Sequence, residues 1–216
     1  GNRTIASYFV ETAKKEKGKG QFFYVAQEYG NEIFFGSDHG RIWRYQKQGG
    51  QFELLQLPAS SRIVEIKKMN EQAILIVTKT DGFFVYDVAS KGMEHYEASR
   101  LPKAPVRSAY MDKYSEIWFE QEVPGTVAHF NAKTKVLKTE VIPVEPTSTD
   151  RSRPAFHVHE DIYGTVWVHP YGGGFSRFDR ENNRLQSFYN GLSDANWRFS
   201  NKIHSAFSDR QGNLWM

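Results

Sequence analysis

The chain has 216 residues, a length that suits one large β domain or two smaller ones. Its 28 Lys and Arg residues nearly balance its 25 Asp and Glu residues, so the charge does not imply a nucleic-acid surface. Cysteine is absent, which excludes disulfides and cysteine-based metal sites, and no apolar run reaches the ~18 residues of a membrane span. Aromatic residues make up 15% of the chain, and their abundance favours pleated sheet.

An apolar or aromatic triplet recurs along the chain at intervals of 41 to 49 residues. The five copies are Ile33-Phe34-Phe35, Ile74-Leu75-Ile76, Ile117-Trp118-Phe119, Val166-Trp167-Val168 and Leu214-Trp215-Met216. A glycine and then an aromatic residue follow each of the first four triplets, and the aromatic residue lies 11 or 12 positions after the triplet centre. These pairs are Gly40 and Tyr45, Gly82 and Tyr86, Gly125 and Phe130, and Gly174 and Phe178. Constant spacing within a unit and variable spacing between units indicate a structural module with variable loops.

A segment of alternating polarity precedes each triplet and predicts a first strand. The five segments are Phe23 to Ala26, Val64 to Lys67, Val106 to Tyr110, Phe156 to His159 and Ile203 to Phe207. A short turn then leads into the triplet. In the two clearest units this turn is Asp161 to Gly164 and Asp209 to Gly212, with Asp first and Gly fourth as in a type I turn. Asp112 to Ser115 is a weaker copy, and the first two units have diverged further.

Each complete unit closes with an outer strand. The outer strands are predicted at Phe52 to Leu55, Glu94 to Tyr96, Leu137 to Ile142 and Leu185 to Tyr189. A unit is therefore a four-stranded antiparallel meander, and no sustained 3.6-residue apolar period predicts a helix. Radial stacking around an axis buries both faces of such sheets, so we predict an all-β fold, the β-propeller. A β-sandwich would explain the strands but not the four-strand period.

The fourth and fifth units carry the most specific pattern. It comprises Asp161, Gly164, Trp167, the run Gly172-Gly173-Gly174 and Arg177-Phe178-Asp179 in unit four, and Asp209, Gly212 and Trp215 in unit five. This pattern resembles the two-component-regulator propeller repeat, and the segment from Tyr189 to Ser193 is similar to the Asn-Gly-Leu connector of that family. Units one to three keep the glycine and aromatic frame but depart from the family in the Asp turn or the Trp.

The resemblance implies the extracytoplasmic sensor domain of a hybrid two-component system of the Bacteroides type. Such a domain would be the periplasmic part of an inner-membrane protein that signals to a histidine kinase and so regulates transcription. Rings of the family usually have seven blades, so we expect an incomplete portion of a larger propeller. Its expected parts over residues 1–216 are an outer strand at 3–10, blades at about 20–58, 62–98, 105–143 and 155–190, and the start of the next blade at 202–216.

Ligand contacts are expected in the loops that differ most between units, because loops from several blades of a propeller converge over its central channel. The candidates between second and third strands are Asp38, His39, Lys79, Asp81, Gln121, Glu122, His169 and Tyr171. The candidates at the entries to first strands are Arg107, Arg153, Trp197 and Arg198. Aromatic rings could stack on a sugar while the polar groups fix its hydroxyls. The repeated Trp118, Trp167 and Trp215 are instead expected in the core between blades, and the Asp turns are expected to be structural.

No catalytic, metal or cofactor site is expected. His157 and His159 share one face of a predicted strand, but no third metal ligand stands at a diagnostic spacing. Nucleophile and phosphate-loop motifs are also missing. The leading hypothesis is a non-enzymatic sensor that binds an oligosaccharide, with a polysaccharide lyase or glycosidase and a protein-docking scaffold as the alternatives. The expected partners are the ligand, the rest of the sensor chain and, in one arrangement, a second copy in a homodimer; contact with nucleic acid is not expected.

Overall fold

A computed structural model describes residues 22–121, 123, 125–143, 156–170, 173–190 and 201–216. Four antiparallel sheets of four strands follow one another along the chain, and a two-stranded sheet comes last. Within each sheet the strands pair in sequence order, as a meander does. The predicted outer strand at 3–10 lies outside the described residues.

The sheets are named blades 1 to 4 in chain order. Blade 1 holds β1 (Val25–Tyr29), β2 (Glu32–Gly36), β3 (Arg41–Gln46) and β4 (Gln51–Gln56). Blade 2 holds β5 (Ile63–Lys68), β6 (Ala73–Thr78), β7 (Phe83–Asp87) and β8 (Met93–Tyr96). Blade 3 holds β9 (Val106–Met111), β10 (Glu116–Gln121), β11 (Thr126–Asn131) and β12 (Val136–Val141). Blade 4 holds β13 (Phe156–Glu160), β14 (Val166–Pro170), β15 (Phe175–Asp179) and β16 (Arg184–Phe188), and β17 (Phe207–Ser208) pairs with β18 (Leu214–Trp215) in the last sheet.

Hydrophobic cores lie between neighbouring blades. Phe34 and Ile42 of blade 1 pack with Ile74 of blade 2, and similar cores join blades 2 and 3 and blades 3 and 4. The triplets of β6 and β10 are covered on both faces, which explains why three consecutive residues are apolar rather than alternating. First strands of successive blades lie side by side, β1 next to β5 and β5 next to β9, as they do when they line a central axis.

The Asp turn and the Trp of a unit are linked by a hydrogen bond. In three units the Asp Oδ1 atom accepts backbone N–H bonds from the residues two and four positions later. The Oδ2 atom accepts the indole Nε1–H of the Trp six positions later. The distances are 3.3 Å for Asp112 and Trp118, 2.9 Å for Asp161 and Trp167, and 3.0 Å for Asp209 and Trp215.

The turn at Asp112 is therefore a complete copy, although its sequence suggests a weaker one. Its fourth residue is Ser115 where the other turns have glycine, and Ser115 takes up the left-handed backbone that those glycines have, with φ of 68°. A serine pays a steric cost in that conformation, but the Asp112 hydrogen bonds hold the turn in place. Trp118 is fully buried, as predicted, whereas Trp215 is 54% exposed because no described sheet packs on the outer side of β17 and β18.

Two elements differ from the sequence prediction. The first strand of the fifth unit was expected at residues 203–207. The observed strand β17 covers only Phe207–Ser208, because β18 has just two residues for it to pair with. A single turn of 3-10 helix at Ala98–Arg100 also occurs between blades 2 and 3, where no helix was predicted. In the part of the chain that is described, no helix has the length and apolarity needed to cross a membrane.

Candidate functional site

We call one end of the propeller the loop face. It consists of the loops between second and third strands together with the connections from one blade to the next. Backbone hydrogen bonds join these segments: Ile63 N–H donates to Ser37 O at 2.9 Å, and Val106 N–H donates to Lys79 O at 2.8 Å. Each bond ties the start of one blade to the end of the second strand in the blade before it. The loop face is therefore a connected surface rather than a set of separate loops.

The described part of the loop face contains seven of the twelve predicted ligand-binding residues. They are Asp38, His39, Lys79, Asp81, Arg107, Gln121 and His169. Glu122, Arg153, Tyr171, Trp197 and Arg198 lie outside the described residues.

Asp38 belongs to a polar cluster between blades 1 and 2. Its Oδ2 atom accepts the Tyr24 hydroxyl at 2.8 Å, and its Oδ1 atom lies 3.8 Å from Arg62 Nε. The Arg62 guanidinium stacks over the Tyr24 ring at 4.3 Å. The hydrogen bond to Asp38 raises the pKa of Tyr24, so the phenol stays a donor. His39 follows in an exposed turn, with φ of 58°, and its carbonyl accepts a bond from Gln56. The cluster offers an aromatic ring, a cation and a carboxylate on one accessible surface.

A cavity of about 410 Å³, the 2/3 cavity, lies between blades 2 and 3 on the same face. Its wall is formed by Lys79, Thr80, Gly82, Ala98, Ser99, Leu101, Pro102, Lys103, Ala104, Pro105 and Val106. Leu101, Pro102 and Pro105 make part of the wall apolar, and the two lysines supply its charge. This combination of apolar wall and few polar groups is typical of small-molecule sites.

Two predicted residues hold the loops next to this cavity in place. The Asp81 carboxylate accepts the backbone N–H groups of Ser60 and Ser61 at 3.2 and 2.8 Å. Burial pushes the pKa of Asp81 up, but these serine hydrogen bonds outweigh burial and lower it. Gln121 is buried, and its Nε2 atom donates to the carbonyls of Pro102 and Ala104 at 2.9 and 3.0 Å. The side chains of Asp81 and Gln121 therefore stabilise the backbone of the loops around the cavity.

A third cluster lies between blades 3 and 4, and most of it was not among the predicted ligand contacts. Glu120 Oε2 accepts the Ser108 hydroxyl at 2.6 Å, and Oε1 accepts Val158 N–H at 3.2 Å. Oε1 also faces His157 Nδ1 at 3.8 Å. The His157 ring lies 5.4 Å from that of His169, its register partner on β14. The carboxylate therefore lies close to a half-exposed imidazole, which in turn lies beside a buried one.

The electrostatics of this cluster separate its two histidines. The facing Glu120 carboxylate raises the pKa of His157. Burial and the neighbouring His157 lower the pKa of His169 to about 4, so His169 is neutral at physiological pH. Burial would raise the pKa of Glu120, but His157 and Ser108 outweigh it and lower the pKa. His169 Nδ1 is buried and has no hydrogen-bond partner among the described residues.

Arg107 lies in β9, directly before Ser108, on the loop-face end of that strand. A metal site at His157 and His159 is not supported within the described residues, which contain no group of three suitable ligands. His159 Nε2 is instead 3.0 Å from Ser208 Oγ.

Solved structures with this fold include extracellular domains of two-component systems and lyases. The extracellular domain of the hybrid two-component system BT3049 from B. thetaiotaomicron matches with a TM-score of 0.56 and 17% identity, over 89% of this chain and 25% of that chain. The β-propeller domain of Myceliophteria thermophila Cps50 matches with a TM-score of 0.56 and 12% identity, over 91% and 62%. A catalytically inactive His-to-Ala variant of virginiamycin B lyase from Staphylococcus aureus, with quinupristin, has a TM-score of 0.60 and 15% identity, over 93% and 64%.

These likenesses confirm the predicted fold class and the structural resemblance to extracellular domains of Bacteroides two-component systems. This chain spans about a quarter of the length of the BT3049 domain. No protein-family model and no curated protein matches the sequence. At identities of 12 to 17% the comparisons establish the fold, which is a β-propeller.

Proposed function

We propose that this chain is part of the ligand-sensing input module of a membrane-bound hybrid two-component sensor, that it lies in the periplasm, and that its loop face binds an oligosaccharide. The observation that carries the proposal is the convergence of three ligand-competent features on one face of a fold shared with such sensor domains. The first is the polar cluster of Tyr24, Asp38 and Arg62, and the second is the 2/3 cavity. The third is the cluster of Glu120 and His157 between blades 3 and 4, and the fold is that of the BT3049 domain. Through the rest of the sensor chain, binding would be passed to a histidine kinase.

The chemistry of the three features suits a sugar. A pyranose presents an apolar ring face that can pack on Tyr24 or on the prolines of the cavity wall. Its hydroxyl groups both donate and accept, and the half-exposed imidazole of His157 offers them a hydrogen-bonding partner. Arg62 adds a planar set of donors next to the Tyr24 ring.

Isothermal titration of the full chain against a panel of neutral and acidic glycan fragments tests this proposal. We expect at least one fragment to bind, to be recovered unchanged, and to lose affinity when Arg62→Ala or His157→Ala is introduced. A loss of affinity in these variants would show that the fragment binds on the loop face and not elsewhere on the chain. Failure of every fragment to bind would contradict the sensor assignment.

A second candidate function is acid-base catalysis on a polysaccharide. It is favoured by the position of half-exposed His157 3.8 Å from the Glu120 carboxylate, because general-base histidines often have a carboxylate beside them. The likeness to a lyase shows that this fold can carry an enzyme. Product analysis of the titration mixtures decides between the two functions. Cleavage of a fragment by the unmodified chain, and its loss in Glu120→Gln, would support the enzyme and contradict the non-enzymatic sensor.

A further inference from the structure

We infer that the ligand is an acidic oligosaccharide, and that an anionic group of one sugar unit enters the 2/3 cavity between Lys79 and Lys103. The inference rests on the proposed function, since it specifies the ligand class that the loop face would bind. It follows from the charges, the hydrogen bonds and the shape of the cavity wall.

The charge of the cavity wall is positive. Lys79 and Lys103 belong to the wall, and none of its other residues is acidic. Neither lysine forms an ion pair with a described residue, and Lys79 is half-buried. Lys103 is exposed. Two cations without a counter-ion among the described residues favour an anionic group on the ligand, because each can then form a charge-assisted hydrogen bond.

Two carboxylates adjoin the cavity wall along the chain, and both accept hydrogen bonds from neighbouring serines. Asp81 lies in the same loop as Lys79, but its oxygens accept bonds from Ser60 and Ser61. Glu97 precedes the wall residue Ala98 and accepts the Ser99 hydroxyl. Neither carboxylate forms an ion pair with Lys79 or Lys103, and these two lysines are the only charged residues among those that form the cavity wall.

The backbone of the cavity is fixed before a ligand arrives. Lys79 N–H donates to Arg62 O and Lys79 O accepts Val106 N–H, both at 2.8 Å. Gln121 holds the carbonyls on both sides of Lys103. Little ordering is therefore required on binding, which leaves more of the interaction energy for affinity. The proline and leucine wall accepts the apolar face of the sugar ring, and a volume of about 410 Å³ suits one or two sugar units.

The test compares anionic and neutralised forms of one ligand on the full chain. Isothermal titration would use an oligogalacturonate, its methyl ester and a sulfated chondroitin fragment, each at low and high salt. We expect the anionic forms to bind at least about ten-fold more tightly than the ester and to weaken with salt. Lys79→Gln and Lys103→Gln should each reduce the affinity for anionic forms about five-fold and leave binding of the ester unchanged. Preference for the carboxylate or the sulfate identifies which anion the cavity takes.

Lys133→Gln is the matched control, because Lys133 is an exposed lysine in the turn between β11 and β12, away from the loop face. It should bind like the unmodified chain, and unchanged urea midpoints would show that all three variants fold. Equal binding of ester and acid without salt dependence would overturn the inference while the proposed function survives. The inference would also be overturned if both lysine variants bound the anionic fragments as tightly as the unmodified chain does. Failure of every fragment, neutral or anionic, would count against the proposed function itself.

Discussion

At the scale of single residues, blades 3 and 4 and the last sheet each depend on one aspartate that makes at least three hydrogen bonds. Its two backbone bonds close the turn, and its bond to the indole fixes the orientation of the Trp in the next strand. Hydrogen bonds from Asn213 and Trp215 lower the pKa of Asp209 to about 2, so this carboxylate stays charged in mild acid. A catalytic interpretation of the aspartates would overlook that their oxygens are already occupied.

His169 is expected to make the protein sensitive to acid. Its pKa is near 6.5 in the unfolded chain and about 4 in the folded protein, because burial and His157 oppose its charge. Between these values the unfolded state binds more protons, so stability is lost as the pH falls from 6.5 towards 4. In His169→Gln this loss should be smaller by about 2 kcal/mol between about pH 7 and pH 5. Urea unfolding followed by Trp fluorescence at the two pH values measures it.

The difference between the unmodified chain and the variant isolates His169 from the other titrating groups. His159→Gln is a suitable control, since that ring is half-buried and bonded to Ser208. An identical loss of stability in the unmodified chain and in His169→Gln would show that the buried ring is not the acid-sensitive group.

At the scale of the element, the repeated glycine allows the third strand to start close to the end of the fourth. A Cβ atom on Gly40 would lie 2.6 Å from Ala59 O, and on Gly82 it would lie 2.1 Å from Tyr96 O. Both glycines also have positive φ, at 65° and 89°. The glycine of the repeat is therefore required twice, for its backbone conformation and for the space it leaves.

Two glycines of blade 1 separate these requirements. Gly40 and Gly50 have the same φ of 65°, but the nearest atom to a Cβ on Gly50 is 4.0 Å away. Gly50→Ala should cost about 1 kcal/mol for the backbone conformation alone. Gly40→Ala should cost about 1 to 3 kcal/mol more, because the added methyl group meets a carbonyl. Urea denaturation of both variants provides the comparison, and equal costs would show that the close approach has no energetic effect.

The elements were predictable from the sequence because the repeat supplies its own internal evidence. A position such as Trp118 recurs in corresponding strands, so the four-strand unit could be recognised and is confirmed. The sequence predicted only a weak copy of the turn at Asp112. Its fourth residue is Ser115, and serine, unlike glycine, gives no sequence signal for the positive φ that it adopts. The shortness of β17 depends on its pairing partner and leaves no signal in its own residues.

The site was less predictable than the elements. Glu120 and His157 lie within strands, where a polar residue is expected to be an ordinary part of the alternation. Their meeting depends on how blade 4 packs against blade 3, which no single unit encodes. Conversely, Asp81 and Gln121 were predicted to be loop residues free to contact a ligand, but Gln121 ends β10 and the polar groups of both bind neighbouring backbone. Their role as ligand contacts stays a prediction.

At the scale of the whole molecule, the blades form a series in which each contacts its neighbours. The cores between blades 1 and 2 and between blades 2 and 3 share blade 2, so its central strand β6 has buried residues on both faces. Stability in such a series is a sum over blades and their interfaces. It should therefore be greatest in the blades that are covered on both sides.

Hydrogen exchange is expected to follow this order. Amides of β6 and β10, where consecutive side chains are fully buried, should exchange at least about 100-fold more slowly than those of β17 and β18, which share only two residue pairs. Exchange measured by mass spectrometry after pepsin digestion would show the gradient. Uniform protection along the chain would mean that the described blades open as one cooperative unit instead.

The backbone bonds of Lys79 have a mechanical consequence. Its N–H holds the entry to blade 2 and its carbonyl holds the entry to blade 3. A force applied to Lys79 is therefore transmitted to the first strands of blades 2 and 3 through backbone hydrogen bonds. These bonds are stiffer and more directional than side-chain packing. Among the described residues, Val158 N–H of blade 4 donates to the Glu120 carboxylate of blade 3, so this link varies with the charge of one side chain. The Lys79 bonds join backbone to backbone and therefore do not respond to pH.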